Sequence, residues 1–236
     1  GWPGAWMPLH FAVMGLSAVG VALGVAYRLS ALLFCVTFTH AFLMEKSLYQ
    51  NHYYLICLLS FLMVFLPCHR AFSLDAWRRP AVRSDTAPAW TLWILRFQIA
   101  IPYVYGGIAK LDGDWLQGMP MRLWLARKAE ASVVGDALAE EWLVYFLSYG
   151  GLAYDLCIVP LLLWERTRTV AFWTTVAFHL ANAWLWHIGV FPWLMIGAAA
   201  LFFDPTWVRR CLRLPPPREG ARLPEGVRTA RRLATI

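Results

Sequence analysis

The feature that most constrains this chain is a succession of long apolar runs. Seven stretches, near 7–27, 31–48, 53–67, 90–108, 141–165, 169–187 and 189–203, are apolar almost throughout. About 20 such residues cross the hydrocarbon core of a bilayer as a helix. The expectation is therefore an all-α protein, a polytopic transmembrane bundle of about seven spans. The third and last runs are short for a crossing and imply little tilt or extension by interfacial aromatics. Composition agrees: 60% of the 236 residues are hydrophobic and 15% charged, against about 25% charged in soluble domains. The first residue is Gly, and no basic segment precedes a short apolar one. The chain is accordingly read as a fragment of a larger membrane protein without a signal peptide. Residues 1–213 form the expected membrane domain. Residues 214–236, "LPPPREGARLPEGVRTARRLATI", form a Pro/Arg-rich linker or cytoplasmic tail.

The net charge is +7. In a soluble protein it would suggest nucleic acid; here the positive-inside rule accounts for it, and no nucleic-acid partner is expected. The connections after runs one, three, five and seven hold 15 of the 21 basic residues, the opposite side holds five, and Arg96 lies within a run. This asymmetry puts the C-terminus in the cytoplasm and the "AKLDGDW" loop outside. The five cysteines (Cys35, Cys57, Cys68, Cys157 and Cys211) contain no CxxC and lie mostly in or beside apolar runs. They read as small buried hydrophobes, not as metal ligands or disulfide partners.

Polar groups inside such runs need an explanation, because charge facing hydrocarbon costs several kcal/mol. In "WTLWILRFQIAIPYVYGGIAK", Arg96, Tyr103 and Lys110 are spaced by seven and share a helical face. The fifth run carries Asp155 in "GGLAYDLCIVP". Counted from the cytoplasmic ends at 1.5 Å per residue, Arg96 lies roughly 9 Å deep and Asp155 roughly 15 Å deep. An arginine side chain can bridge that gap, so the expectation is a structural Arg96–Asp155 ion pair. His179, Asn182 and Trp186 share a face of the sixth run, as a polar helix contact or as a pocket wall. No HxxxH or HExxH spacing occurs, and no metal is expected. Asn51 opens the third run as a natural N-cap, with His52 behind it. Lys110 ends its run, where a lysine ordinarily reaches for water and is favoured by the helix dipole, outside the packing. Base chemistry there requires a desolvating cover. The loop 111–140 is long enough, with Trp115, Met119, Met121 and Trp124 as its candidate lining.

Five stretches, taken in order, resemble the vitamin K-dependent γ-glutamyl carboxylase family and its bacterial relatives, which share the HTTM membrane domain. They are "EKSLYQNHYYL" (45–55), "FSLDAWRRP" (72–80), "LRFQIAIPYVYGGIAKLDGDWLQGMPM" (95–121), "GGLAYDL" (150–156) and "FHLANAWLWHIGVFPWLM" (178–195). The resemblance implies an enzyme that deprotonates and oxygenates reduced vitamin K, a phylloquinol or menaquinol. The strong base so formed takes a γ-proton from a peptide glutamate, and CO₂ adds there. It implies Lys110 as the residue that deprotonates the quinol, with His52 and His179 as catalytic partners. Asn51, Asn182, Tyr103, Trp115 and Met121 are implied around the cofactor. O₂ and CO₂ are the implied co-substrates, with a glutamate-containing peptide or protein and membrane lipid as partners. The implied location is a bacterial inner membrane with the site facing the periplasm or exterior. The alternatives are a quinone-binding membrane oxidoreductase without carboxylation, and a non-catalytic HTTM module that binds lipid or peptide.

Overall fold

The computed structural model describes residues 4, 6–44, 49–130, 135–138, 140–186 and 188–215. Glu45, Lys46, His187 and the tail from residue 216 lie outside them. Among the described residues every regular element is helical. Helices α1 (Trp6–Leu23), α2 (Tyr27–Met44), α3 (Asn51–Phe65), α5 (Ala89–Ala109), α9 (Glu141–Leu163), α10 (Arg168–Trp186) and α11 (Phe191–Ala199) occupy the seven apolar runs. Four of them, α1, α2, α5 and α9, are long and apolar enough to cross a bilayer, and α3 and α11 with its 3₁₀ extension are shorter apolar helices. The chain is an integral membrane protein. Short helices α4 (Leu74–Arg78), α6 (Gly113–Leu116), α7 (Met119–Glu130), α8 (Gly135–Leu138) and α12 (Trp207–Cys211) complete the order.

The chain divides into two compact units, residues 1–95 with 212–236, and residues 96–211. In the first, α1 pairs with α2 and α2 with α3. Asp75 in α4 accepts hydrogen bonds from the amides of Ala26 and Tyr27, at 3.0 and 2.9 Å, and so caps the start of α2. Those amides hold the Asp75 carboxyl below the usual carboxylate range. At the other end of α3, Arg28 donates to Val64 O at 2.7 Å and Tyr27 to Met63 O at 2.8 Å. They satisfy carbonyls that a helix end leaves without an internal partner. Asn51 is not the N-cap of α3: Gln50 holds that position without a side-chain cap bond, and Asn51 is the first helical residue, exposed. The extended backbone falls at Gln50 (φ −139°, ψ 133°), so the helix starts one residue earlier than the side-chain preference suggests.

In the second unit the core follows helical periodicity. Val144, Ser148, Gly151, Leu152, Asp155, Ile158, Val159 and Leu162 form the buried stripe of α9. Ala171, Thr175 and His179 form that of α10. Arg168 donates to Leu162 O and Leu163 O at 3.0 and 2.9 Å, closing the C-terminus of α9.

The described part of the expected loop 111–140 is mostly helical. Asp112 caps α6 by accepting from the Trp115 amide at 3.0 Å. Gly118, at φ +71°, turns the chain into α7, and a Cβ there would stand 2.7 Å from Val144. Met121 and Leu125, one turn apart, then pack with Leu138, Val144 and Leu185. An apolar face four residues apart is enough to make a helix of a segment first read by its length. The cysteines depart from expectation too: only Cys57 is buried, Cys35 is half-buried, and the other three are exposed, none of them disulfide-bonded. A side chain in an apolar run can face lipid as readily as core.

Candidate functional site

Arg96 and Tyr103 lie on α5 and Lys110 directly follows its last residue, but the charges find different partners from those expected. Asp155 pairs with Lys110, whose Nζ lies 2.5 Å from Oδ2. Arg96 instead donates from Nε to Leu201 O at 2.8 Å and from Nη2 to Phe203 O at 3.1 Å and Phe202 O at 3.4 Å. The Arg96–Asp155 pair is therefore corrected. Carbonyls at the end of α11 lack internal partners and attract the guanidinium. The close approach of α9 to the far end of α5 gives Asp155 a nearer cation. Gly107 allows that approach: a Cβ there would lie 2.6 Å from Leu156 Cδ2.

Lys110 and Asp155 stand in the wall of a cavity of about 730 Å³ built from the second unit. Its size falls within the roughly 300–1,000 Å³ of small-molecule sites. The side chains are 21% and 10% exposed. Three groups surround the amine: the Asp155 carboxylate, the Gly106 carbonyl at 3.4 Å, and the Trp115 ring with its centroid at 4.9 Å. Trp115 is fixed in turn by its indole N–H, which donates to Ser148 O at 2.8 Å. Trp124 lies edge-on to Trp115 and to Trp186, at 6.2 and 5.4 Å between centroids. The cover expected over Lys110 is thus present as aromatic rings on short helices, and Met121 joins the wall. Met119 does not; it is exposed, with its sulfur against Arg122.

Across the cavity, Tyr103 OH and His179 Nε2 are hydrogen-bonded at 3.0 Å, and both residues are buried. His179 Nδ1 is enclosed with no hydrogen-bond partner among the described residues. An unmet buried polar atom costs about 1–3 kcal/mol. Asn182 accepts from the Trp186 indole at 2.9 Å, and both line the cavity. The second unit therefore brings together Lys110, Asp155, Tyr103, His179, Asn182, Trp115 and Met121. His52 and Asn51 belong to the first unit, where His52 is buried with its ring against Tyr53. Phe178, Gly151 and Gly106 also line the cavity and were not singled out in the sequence. Gly106 carried a signal, since it stands one turn before Lys110 on the same face.

Among the described residues no three His, Cys, Asp or Glu side chains group for a cation. The sequence matches the family model described as HTTM domain over residues 1–207. No solved structure matches it.

Proposed function

This chain belongs to the HTTM domain family, the domain of the vitamin K-dependent carboxylases, and from that premise we propose that its cavity is a quinol site of a carboxylase-like membrane enzyme. Reduced vitamin K, when bound, supplies the oxygen-dependent chemistry that couples its own oxidation to carboxylation of a peptide glutamate. The observation that carries the reading is a single cation, Lys110, held against a carboxylate in the wall of an aromatic cavity, with an unsatisfied histidine nitrogen in the same wall.

The residues divide the work by their chemistry. Trp115, Trp124 and Trp186 flank a flat ring and exclude water, which strengthens every charge interaction inside. Met121 adds a polarisable, adaptable contact. His179, oriented by Tyr103, and Asn182 offer hydrogen bonds to ring oxygens. Lys110, paired with Asp155, would present its Nζ to a phenolic oxygen as the positioned proton-transfer group. His52 and Asn51 enter on the family resemblance alone. Seven crossings, a cytoplasmic C-terminus and a site open to the periplasm of a bacterial inner membrane belong to the same proposal. The outward placement rests on the arginine asymmetry.

The test supplies reconstituted protein with reduced vitamin K, O₂, labelled bicarbonate and a glutamate-containing peptide. Epoxide and labelled peptide are expected together. Epoxide without label moves the reading to a quinol oxidase of another substrate. Absence of both, with saturable quinol binding intact, overturns the enzyme and leaves a binding module.

A further inference from the structure

The connection between α3 and α5, residues 66–88, lies in the first unit and carries Arg70, Arg78, Arg79 and Arg83, all exposed. Among the described residues none of the four forms a salt bridge. We propose that this connection is a docking surface for anionic phospholipid headgroups: its guanidiniums take phosphates at the bilayer surface, and Phe72 and Trp77 set its depth. The inference rests on the chain being an integral membrane protein and is independent of the quinol reading.

Three observations carry it, and the first is that the connection is pinned. Asp75 caps α2 through the amides of Ala26 and Tyr27, and its own amide donates to Gly24 O at 2.9 Å. Ser73 caps α4 by accepting from the Ala76 amide at 3.0 Å, and the Ser84 amide donates to Arg70 O at 3.0 Å. These bonds tie the segment to the turn where α1 ends and α2 begins, beside the end of α3. That is the level at which the chain leaves hydrocarbon for water.

The second observation is direction. Successive residues of a helix turn by about 100°. Asp75 faces the α2 amides and Ala76 is buried, so Trp77 and Arg78 project from the other side of α4. Trp77 is 77% exposed, and Phe72, also exposed, holds φ +53°, a left-handed conformation rare for a bulky residue. Such a conformation persists only where the surrounding structure fixes it. Trp90, the second residue of α5, is exposed as well. Tryptophan rings favour the headgroup level of a bilayer.

The third observation is charge. The connection holds two carboxylates, Asp75 and Asp85, against its four arginines. Both oxygens of Asp75 are engaged by main-chain amides. Arg28, exposed at the start of α2, adds a cation that also donates to Val64 O. Clusters of about four to eight basic residues beside a span attract anionic lipid, and the guanidinium fork matches a phosphate. Exposed positions spread from Arg70 to Arg83 suit a plane of phosphates better than one enclosed ion.

Energy transfer from tryptophan to a dansyl group on a lipid acyl chain reads the binding of lipid to the protein in nonionic detergent. Wild type is expected to bind dansyl-phosphatidylglycerol about 10-fold or more tightly than dansyl-phosphatidylcholine, since each arginine at such a surface contributes about fivefold. Arg78→Gln with Arg79→Gln should remove most of that preference. Arg166→Gln with Arg210→Gln removes the same charge from other exposed positions and should leave it intact. Arg78→Lys with Arg79→Lys keeps the charge and should keep most of the preference. Equal affinity of wild type for the two lipids, or an equal fall in the two glutamine pairs, overturns the site. A loss in the lysine pair as large as in its glutamine counterpart traces the effect to the fold and overturns it too. Displacement of the dansyl lipid by millimolar inorganic phosphate makes this a soluble-anion site and overturns the membrane-surface assignment.

Discussion

Two cations stand fourteen residues apart along α5, Arg96 within it and Lys110 just after its last residue, and they are stabilised in opposite ways. Arg96 is held by main-chain carbonyls at the end of α11. Those carbonyls cannot take or give a proton under any ordinary condition, and these contacts close a helix end. Lys110 is held by a carboxylate, a π-face and one carbonyl in the wall of a cavity. There each partner can be exchanged for a ligand atom. A planar guanidinium with five donors suits the first task, and a compact ammonium on a flexible stem suits the second. Position in a membrane run does not tell a structural cation from a chemical one; the identity of its acceptors does.

Breaking the chemical end should give the largest effect. Lys110→Ala is expected to cut epoxide formation by about 10²–10⁴-fold, the usual range for loss of a positioned proton-transfer group. It should also destabilise the protein by about 3 kcal/mol or more, because Asp155 is left buried without its cation. The sequence alone placed Lys110 at a helix end outside the packing, and the pair corrects that. The double variant Lys110→Ala with Asp155→Asn should recover most of the stability in detergent melts and none of the turnover. Recovery of turnover would remove Lys110 from the chemistry.

The structural end should answer differently. Arg96→Met leaves carbonyls of Leu201, Phe202 and Phe203 without this donor and should lower stability by about 2–3 kcal/mol, the scale of hydrogen bonds to charged groups. Turnover per folded molecule should be unchanged, as active-site titration against retained fold would show. Between the two ends, Gly107→Ala forces a Cβ toward Leu156 and should cost about 1–3 kcal/mol of overpacking. Its separation of α9 from α5 should register as a weaker Lys110–Asp155 coupling in a double-mutant cycle.

The smallest effect extends the contrast to an anion. Asp75, like Arg96, is satisfied by main chain, here the amides of Ala26 and Tyr27. Asp75→Asn keeps one oxygen acceptor and should cost less than the roughly 1 kcal/mol of losing a helix cap outright. Because those amides lower its folded-state pKa, the contribution is present in full above the unfolded carboxylate range near 3.9 and is lost as pH falls through the folded value. Melts of wild type and Asp75→Asn should therefore converge below about pH 4.

The helices were readable because long apolar runs have few other uses, and four of the helices on those runs are long and apolar enough to cross a bilayer. The meeting of Tyr103 and Lys110 in one cavity wall was readable from their seven-residue spacing, as was the joint position of His179, Asn182 and Trp186. The partner of Asp155 was not. Depth counted along each helix assigns residues to levels, but it ignores how closely two helices approach and which carbonyls lie unsatisfied nearby. Gly106 and Gly107, which set that approach, have no side chain to announce it.

The sequence by itself determined an integral helical membrane protein of the HTTM family, because hydropathy and local motifs are properties of neighbours along the chain. Only the tertiary structure decided that Lys110 meets Asp155, that Arg96 closes a helix end, and that Trp115, Trp124 and Trp186 wall a common cavity. Those contacts join residues dozens of positions apart, and the physical reason they form is the register of packed helices, which no single segment encodes.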